Sequence, residues 1–412
     1  MPAIAGQQAW NQFIDLARSA DILSVAQQFG ARLKKSGTAE WVGPCPCCGG
    51  TDRFSLNVKK RVCNCRGCGI KGDVIALVEG ITGASFIEAC ERINGMPRPD
   101  RTRDETLEER NARLTRHAAR FAEFQAREAE ERAAEAAKAK RDEEAIAAVL
   151  DRAQLLAGTY GEAYLRGRGL TPHKRLTGDI KFVPDLDYWG AKDDGTREIV
   201  RLATLPAIVA LIRDFSGAVI GISQTYLDPK EPRKWRPEGS PTNSPKKIRG
   251  EKRGGLIRLG RLGETLALSE GWENCLSFHQ LGLGPEDLTL AAAVDLGNLA
   301  GGATGTVPHK VIHDADGRPV RIANGVPDPK SPGVILPEGI KSIILLADLD
   351  SETYATAAKL RTAGNRFRAM GIQVDIAFPS QPGRDFNDML IAQTEELPVG
   401  YALSATSQQT RG

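Results

Sequence analysis

The sequence predicts a multidomain α/β (α+β) protein with an N-terminal zinc ribbon, a long helical linker and a larger core built on an α/β sheet. Three observations predict it. Six of the eight cysteines crowd between Cys45 and Cys68. From Asp100 the composition turns abruptly to Ala, Glu and Arg. After Leu262, apolar strand-like runs alternate with helical stretches, the pattern of a largely parallel, helix-covered sheet. A chain of 412 residues exceeds one ordinary core, so two or three domains are expected.

Apolar content of 41% and charged content of 26% are those of a soluble globular protein. A formal charge of +3 argues neither for nor against nucleic acid. No apolar run approaches the roughly 18–20 residues needed to span a bilayer. No basic segment followed by an apolar stretch opens the chain, so neither membrane insertion nor a signal peptide is expected. Clustered cysteines then read as metal ligands in a reducing, cytoplasmic compartment rather than as disulfides.

The first domain is expected over 1–99. Trp10, Phe13, Ile14 and Leu16 form one helical stripe, and Ile22, Leu23, Val25, Ala26 and Phe29 another, stopped by Gly30. Short strands surround the cysteines, and a helix is expected over Asp73–Glu79. Met96-Pro97-Arg98-Pro99 closes the unit. The linker, 100–157, alternates charge signs and repeats Leu107, Leu114 and Phe121 every seven residues. It reads as a solvated helical spacer, with a partner-binding coiled coil as the alternative. A basic subdomain is expected over 158–262, with strands at 207–212 and 218–222. The α/β sheet follows over 263–400, with strands at 266–268, 290–294, 343–346 and 374–377, a helix over Glu352–Met370 and an irregular insertion near 303–338. The tail, 401–412, is expected to be disordered.

Tetrahedral zinc takes four soft ligands from two short knuckles. Cys45-Pro46-Cys47-Cys48-Gly49 and Cys65-Arg66-Gly67-Cys68-Gly69 each supply Cys-x-x-Cys and a glycine, with sixteen residues between them. Cys45, Cys48, Cys65 and Cys68 are therefore the expected ligands, and Cys47 and Cys63 the spare sulfurs either of which could replace one. Arg53-Phe54-Ser55-Leu56 and Lys59-Lys60-Arg61 combine an aromatic with positive charge between the knuckles, so Arg53 and Phe54 are candidates for a phosphate backbone and an unstacked base.

Gly43-Pro44-Cys45-Pro46-Cys47-Cys48-Gly49-Gly50, Asp52-Arg53-Phe54 and Cys65-Arg66-Gly67-Cys68-Gly69-Ile70-Lys71-Gly72-Asp73-Val74-Ile75 resemble the CHC2-like zinc-binding domain of bacterial and phage DnaG-type DNA primases. Many members carry a His among the four ligands, where this chain would use four Cys.

Acids at the carboxyl ends of parallel strands face the crevice where such sheets bind ligands. Glu270 follows Leu266-Ala267-Leu268, and Asp348 and Asp350 follow Ile343–Leu346. Carboxylates so placed suit hard cations and phosphate oxygens. Glu270-Gly271 and Asp348-x-Asp350 resemble the Toprim domain of primases and topoisomerases, and Asp385-Phe386-Asn387-Asp388 its further acidic motif. The resemblance implies Glu270, Asp348 and Asp350 as catalytic metal ligands, with Asp385 and Asp388 as additional ones. Asn274 stands where many primases have an aspartate.

Between Asp228 and Arg261 eleven Lys or Arg face four Asp or Glu, a composition that suits a triphosphate and a template strand. Tyr164-Leu165-Arg166-Gly167-Arg168-Gly169-Leu170 and Asn243-Ser244-Pro245-Lys246-Lys247 resemble segments of the primase core. Arg168, Lys246 and Lys247 are by that likeness nucleotide- or template-binding.

What the resemblance implies is template-directed synthesis of short RNA primers on single-stranded DNA from ribonucleoside triphosphates, with one structural Zn²⁺ and two or more Mg²⁺ or Mn²⁺ ions. A Toprim-type nuclease and a non-catalytic DNA-binding accessory protein are the alternatives. No Gly-x-x-x-x-Gly-Lys-Ser/Thr occurs, so any helicase is expected to be a separate partner. The chain ends soon after the Toprim likeness, so a C-terminal helicase-binding domain is not expected.

Overall fold

The computed structural model describes residues 2–37, 39–99, 107–192, 198–236, 244–314, 317–348, 353–380 and 384–396. It is a mixed α/β structure of two compact units, Met1–Ala137 and Lys138–Gly412.

In the first unit, α1 (Pro2–Ser19) and α2 (Ile22–Gln28) precede an antiparallel meander in sequential order, β1 (Lys34–Lys35), β2 (Glu40–Cys45), β3 (Gly49–Asn57), β4 (Val62–Cys65) and β5 (Lys71–Gly72). Then come α3 (Val74–Thr82) and α4 (Phe86–Asn94). Asp73 caps α3 by accepting from the Ile75 and Ala76 N–H groups, and Gly83 ends it in the left-handed region. The helix expected to stop at Glu79 therefore runs three residues further. Phe13, Phe54, Leu56, Ile75 and Leu77 are fully buried in the core between helices and meander.

Helix α5 (Leu107–Asp151) begins in the linker. Leu107 is exposed, and the side chains of Leu114 and Phe121 lie outside the described residues. The solvated spacer expected to reach residue 157 ends sooner. Ile146 and Val149 are buried against Val183, Leu186 and Tyr188, because this last stretch carries its apolar residues on one helical face.

The second unit continues with β6 (Gln154–Leu155), α6 (Tyr160–Gly167), β7 (Ile180–Ala191), β8 (Ile199–Arg213), β9 (Val219–Tyr226) and β10 (Lys246–Gly250). These strands form one antiparallel sheet ordered β10-β9-β8-β7-β6. A second sheet follows from β11 (Ile257–Leu259), β12 (Thr265–Ser269), α7 (Trp272–Gln280), β13 (Thr289–Ala292) and α8 (Leu296–Ala300). After a hairpin of β14 (Thr306–His313) and β15 (Pro319–Ala323) it is completed by β16 (Ser342–Leu346), α9 (Thr353–Ala369), β17 (Gln373–Ala377) and α10 (Phe386–Glu396). Its order is β11-β13-β12-β16-β17, parallel except for the antiparallel edge strand β11. Leu268 pairs with Ala291 on one side and Leu345 on the other.

Two expectations change here. The strand expected to reach Val294 stops at Ala292, because Val294 takes φ 74, a conformation a β-branched residue cannot hold in a strand. The insertion expected to be irregular carries the β14–β15 hairpin, paired Thr306↔Ala323 and Val307↔Ile322. The expected disordered tail, 401–412, lies outside the described residues.

Asn298 ties the connection between β10 and β11, which joins the two sheets, to the end of β13. Its Oδ1 accepts from Gly254 N–H at 2.9 Å, and its Nδ2 donates to Gly255 O at 3.0 Å and Ala293 O at 2.8 Å. Asn298→Ala strands three buried backbone groups, so about 3 kcal/mol of stability should be lost. Denaturant titration measures this, and a loss below about 1 kcal/mol would refute the bridge.

Candidate functional site

The cysteine site is built by the β2–β3 and β4–β5 turns. Gly49 (φ 69) and Gly69 (φ 81) follow the two knuckles in the left-handed region, which turns backbone N–H groups toward sulfur. Gly67 N–H reaches Cys65 Sγ at 3.3 Å. The Sγ atoms of Cys45, Cys48, Cys65 and Cys68 all lie within 4.8 Å of one another, with Cys45–Cys68 at 3.7 Å and Cys48–Cys65 at 3.6 Å. Tetrahedral Zn–S bonds of about 2.3 Å place neighbouring sulfurs about 3.8 Å apart, so the thiols fit the ion. Burial, then the neighbouring Cys65, Cys48 and Cys45 thiols, push the Cys68 thiol up to about 12 against the pull of a backbone N–H. Four thiolates side by side need a cation, and the set suits one structural Zn²⁺. Cys47 is exposed and outside the cluster, and Cys63 faces the core with its thiol pushed up by burial to about 11.

Phe54 does not serve as a base-stacking residue. It is 0% exposed, on the same inward face of β3 as Leu56 and opposite Cys65, and an aromatic sealed in a core has no face left for a base. Arg53 lies across both knuckles, where an ideal Cβ on Gly50 would stand 2.1 Å from its Nε and one on Gly67 would stand 2.7 Å from its Cδ. Lys59 pairs with Glu135 at 2.5 Å, and Arg61 donates to the Arg18 and Ala20 carbonyls. Arg61 therefore holds the end of α1.

In the second unit, Glu270 follows β12 by one residue and Asp348 follows β16 by two. These strands are parallel neighbours, so both acids sit at the same carboxyl edge. Asp350 lies outside the described residues. Among the described residues the four cysteines are the one group of three or more His, Cys, Asp or Glu with ligand atoms within 4.8 Å. Asp385 and Asp388 cap α10 reciprocally: Asp388 N–H donates to Asp385 Oδ1 at 2.7 Å and Asp385 N–H to Asp388 Oδ2 at 3.2 Å. Helix capping thus accounts for their spacing without a metal. Burial first, then Asp388, pushes the Asp385 carboxyl up. Asn274 has the same structural character, its Oδ1 accepting from Phe386 N–H at 3.1 Å.

Sequence reasoning missed a buried charge cluster one helical turn from Glu270. Glu273, in the first turn of α7, is 7% exposed. The Tyr164 hydroxyl donates to its Oε2 at 3.0 Å. Arg168 Nε stands 3.0 Å from the same oxygen, an ion pair by distance whose N–H is not aligned for a hydrogen bond, and Lys234 Nζ lies 3.4 Å from Oε1. Burial works to raise the Glu273 carboxyl, but Lys234, Lys246, Arg168 and the Tyr164 hydroxyl outweigh it and the net direction is down. Burial pulls the Lys234 ammonium down, with Glu273 opposing. The available signal was a glutamate among Trp272, Cys275, Leu276 and Phe278, on a helix otherwise built to be buried.

The adjacent lysines of β10 part company, as alternation along a strand requires. Lys246 is exposed and adds its charge to the Glu273 cluster. Lys247 sits over the Tyr188 ring, 5.0 Å from its centroid, a cation–π contact.

Residues 9–107 match the family described as CHC2 zinc finger, of the DnaG zinc-ribbon type. This segment is similar to the CHC2 zinc finger, and its four clustered cysteines fit that likeness. Residues 140–259 match a second family, described as a domain of unknown function (DUF7146). The chain is 38% identical over 80 residues to a DNA primase of Halalkalibacterium halodurans, a match covering 19% of this chain and 13% of that protein. The zinc finger is thus joined to a chain that spans only a small part of that relative's length. The chain is also similar to the Aquifex aeolicus primase zinc-binding and RNA polymerase domains (TM-score 0.36, 16% identity, 93% of this chain and 83% of that one). It resembles a DNA primase domain from Pseudomonas aeruginosa as well (TM-score 0.35, 16% identity, 60% and 73%). Among the described residues no helix is long and apolar enough to cross a membrane.

Proposed function

We propose that this chain is a DnaG-type DNA primase that makes short RNA primers on single-stranded DNA. The observation that carries the reading is a primase-type zinc finger in one chain with Glu270 and Asp348 at the carboxyl edge of neighbouring parallel strands. The zinc finger would grip the template, with Arg66 and Lys60 at its exposed surface.

Carboxylate oxygens are the donors that hard cations prefer. Glu270 and Asp348, with Asp350, would hold Mg²⁺ or Mn²⁺, which when bound supplies charge neutralisation around a transferring phosphoryl group. The chain's own part is positional. Arg168, Lys234 and Lys246 gather positive charge around Glu273, one helical turn from Glu270, where it would draw in and orient the triphosphate. Under this reading the partners are single-stranded DNA, ribonucleoside triphosphates and a separate helicase, in the cytoplasm.

The test is incubation of the purified protein with single-stranded DNA, labelled ribonucleotides and Mg²⁺ or Mn²⁺. Short template-dependent RNA products are expected. Cleavage of the DNA without synthesis would instead identify a nuclease, and DNA binding without either reaction an accessory protein.

A further inference from the structure

Burying a lone carboxylate costs several kcal/mol, and Glu273 is buried with cations drawn from separate segments. Arg168 comes from the end of α6 and Lys234 from the loop after β9. A structural ion pair needs one counter-charge. Here one carboxylate faces Arg168 and Lys234 directly, with Lys246 adding its field, so the cluster keeps surplus positive charge. That surplus is not sealed in, because the Arg168 side chain is 31% and the Lys234 side chain 27% exposed. The guanidinium uses one edge toward Glu273 and has further N–H donors to offer, as does the ammonium.

The placement is specific. Glu273 stands three residues after Glu270 on the helix that begins at the sheet's carboxyl edge. The charge of Arg168 reaches Asp385 at the start of α10, and the Arg168 carbonyl accepts from Asn387 Nδ2 at 2.9 Å. The Tyr164 hydroxyl engages Oε2 and so restrains the carboxylate's rotation.

We propose that Glu273 is a positioning residue that sets Arg168 and Lys234 as a two-pronged clamp for the phosphates of the incoming nucleotide. This rests on reading the edge at Glu270 and Asp348 as a nucleotidyl-transfer site. The glutamate itself touches no substrate. It fixes where two cations point, and Lys234 joins Arg168 as a phosphate-binding residue.

The experiment compares wild type, Glu273→Gln, Lys234→Met and the double variant, each checked for zinc content and a cooperative melt. Glu273→Gln keeps the shape and the acceptor for Tyr164 but frees both cations. It should raise the nucleotide KM about tenfold, the scale of one charge-assisted hydrogen bond, with kcat within about twofold. Lys234→Met should do the same, and the double variant should lose little more than Lys234→Met alone, because the residues act through one another. Glu273→Asp should recover part of the loss. A fall in kcat at unchanged KM, or fully additive losses, would overturn the proposal. If Glu273→Gln does not fold, an unchanged KM in Lys234→Met overturns it equally. Calorimetric titration with ATP and Mg²⁺ separates this inference from the activity it rests on. With no primer synthesis in wild type, about tenfold weaker ATP binding by Glu273→Gln still supports the clamp, and equal affinities sink it.

Discussion

Asp348→Asn is expected to reduce ribonucleotide incorporation by about a thousandfold or more, and Glu270→Gln by a similar factor, the scale of removing a group that stabilises transferring charge. Each change keeps the side chain's size and removes its negative charge. Asp348 sits beyond the end of β16 and Glu270 beyond β12, with fully buried Leu268 and Leu345 paired behind them. The sheet should not notice the substitutions. Melting temperature, zinc content and single-stranded DNA binding should therefore stay near wild type while incorporation collapses. Asp375→Asn is the control, since Asp375 lies on β17 of the same sheet with an exposed side chain. Retained synthesis in Asp348→Asn would remove that acid from the chemistry and overturn the assignment of the site.

Cys45→Ser and Cys68→Ser are each expected to abolish zinc binding and unfold the meander. Structural zinc is worth about 10–16 kcal/mol in zinc-finger peptides, more than a small domain's whole stability. The short strands β1 (two residues) and β5 (two residues) have little else to hold them. Cys47→Ser should keep its zinc, because that thiol is exposed and outside the cluster. Cys63→Ser should keep zinc too, at the cost of a hydroxyl placed in the core. Metal analysis and circular dichroism read all four, and equal zinc loss in every variant would refute the ligand set.

The sequence was most informative where the relevant partners are close in the chain. The knuckles announce themselves because both ligands of each lie within four residues of one another. Strand-end acids such as Glu270 and Asp348 are legible because β12 and β16 are unbroken apolar runs. Phe54 was misread from composition. Basic residues around an aromatic suggest a base-stacking surface, but the period-2 alternation that puts Phe54 and Leu56 on one face already pointed inward. Asp385 and Asp388 carry a spacing that metal sites and helix caps share, and only the hydrogen bonds of α10 separate the two. Glu273 was out of reach for another reason. Its partners Tyr164, Arg168 and Lys234 come from distant segments, and nothing local in Gly271-Trp272-Glu273-Asn274 says that those segments converge there.

Arg53, lying across the two knuckles, has a consequence for how the sequence can drift. Gly67 does not take a left-handed conformation, so its backbone would accept any residue. Its restriction is purely one of space: a Cβ there would press on Arg53 Cδ at 2.7 Å and on Cys48 Sγ at 3.0 Å. A metal-bound sulfur cannot retreat, whereas an arginine stem can. Among natural variants, a shorter residue at 53 therefore should not by itself admit an alanine at 67, and position 67 should stay glycine wherever Cys48 binds the ion, although Gly67 itself does not.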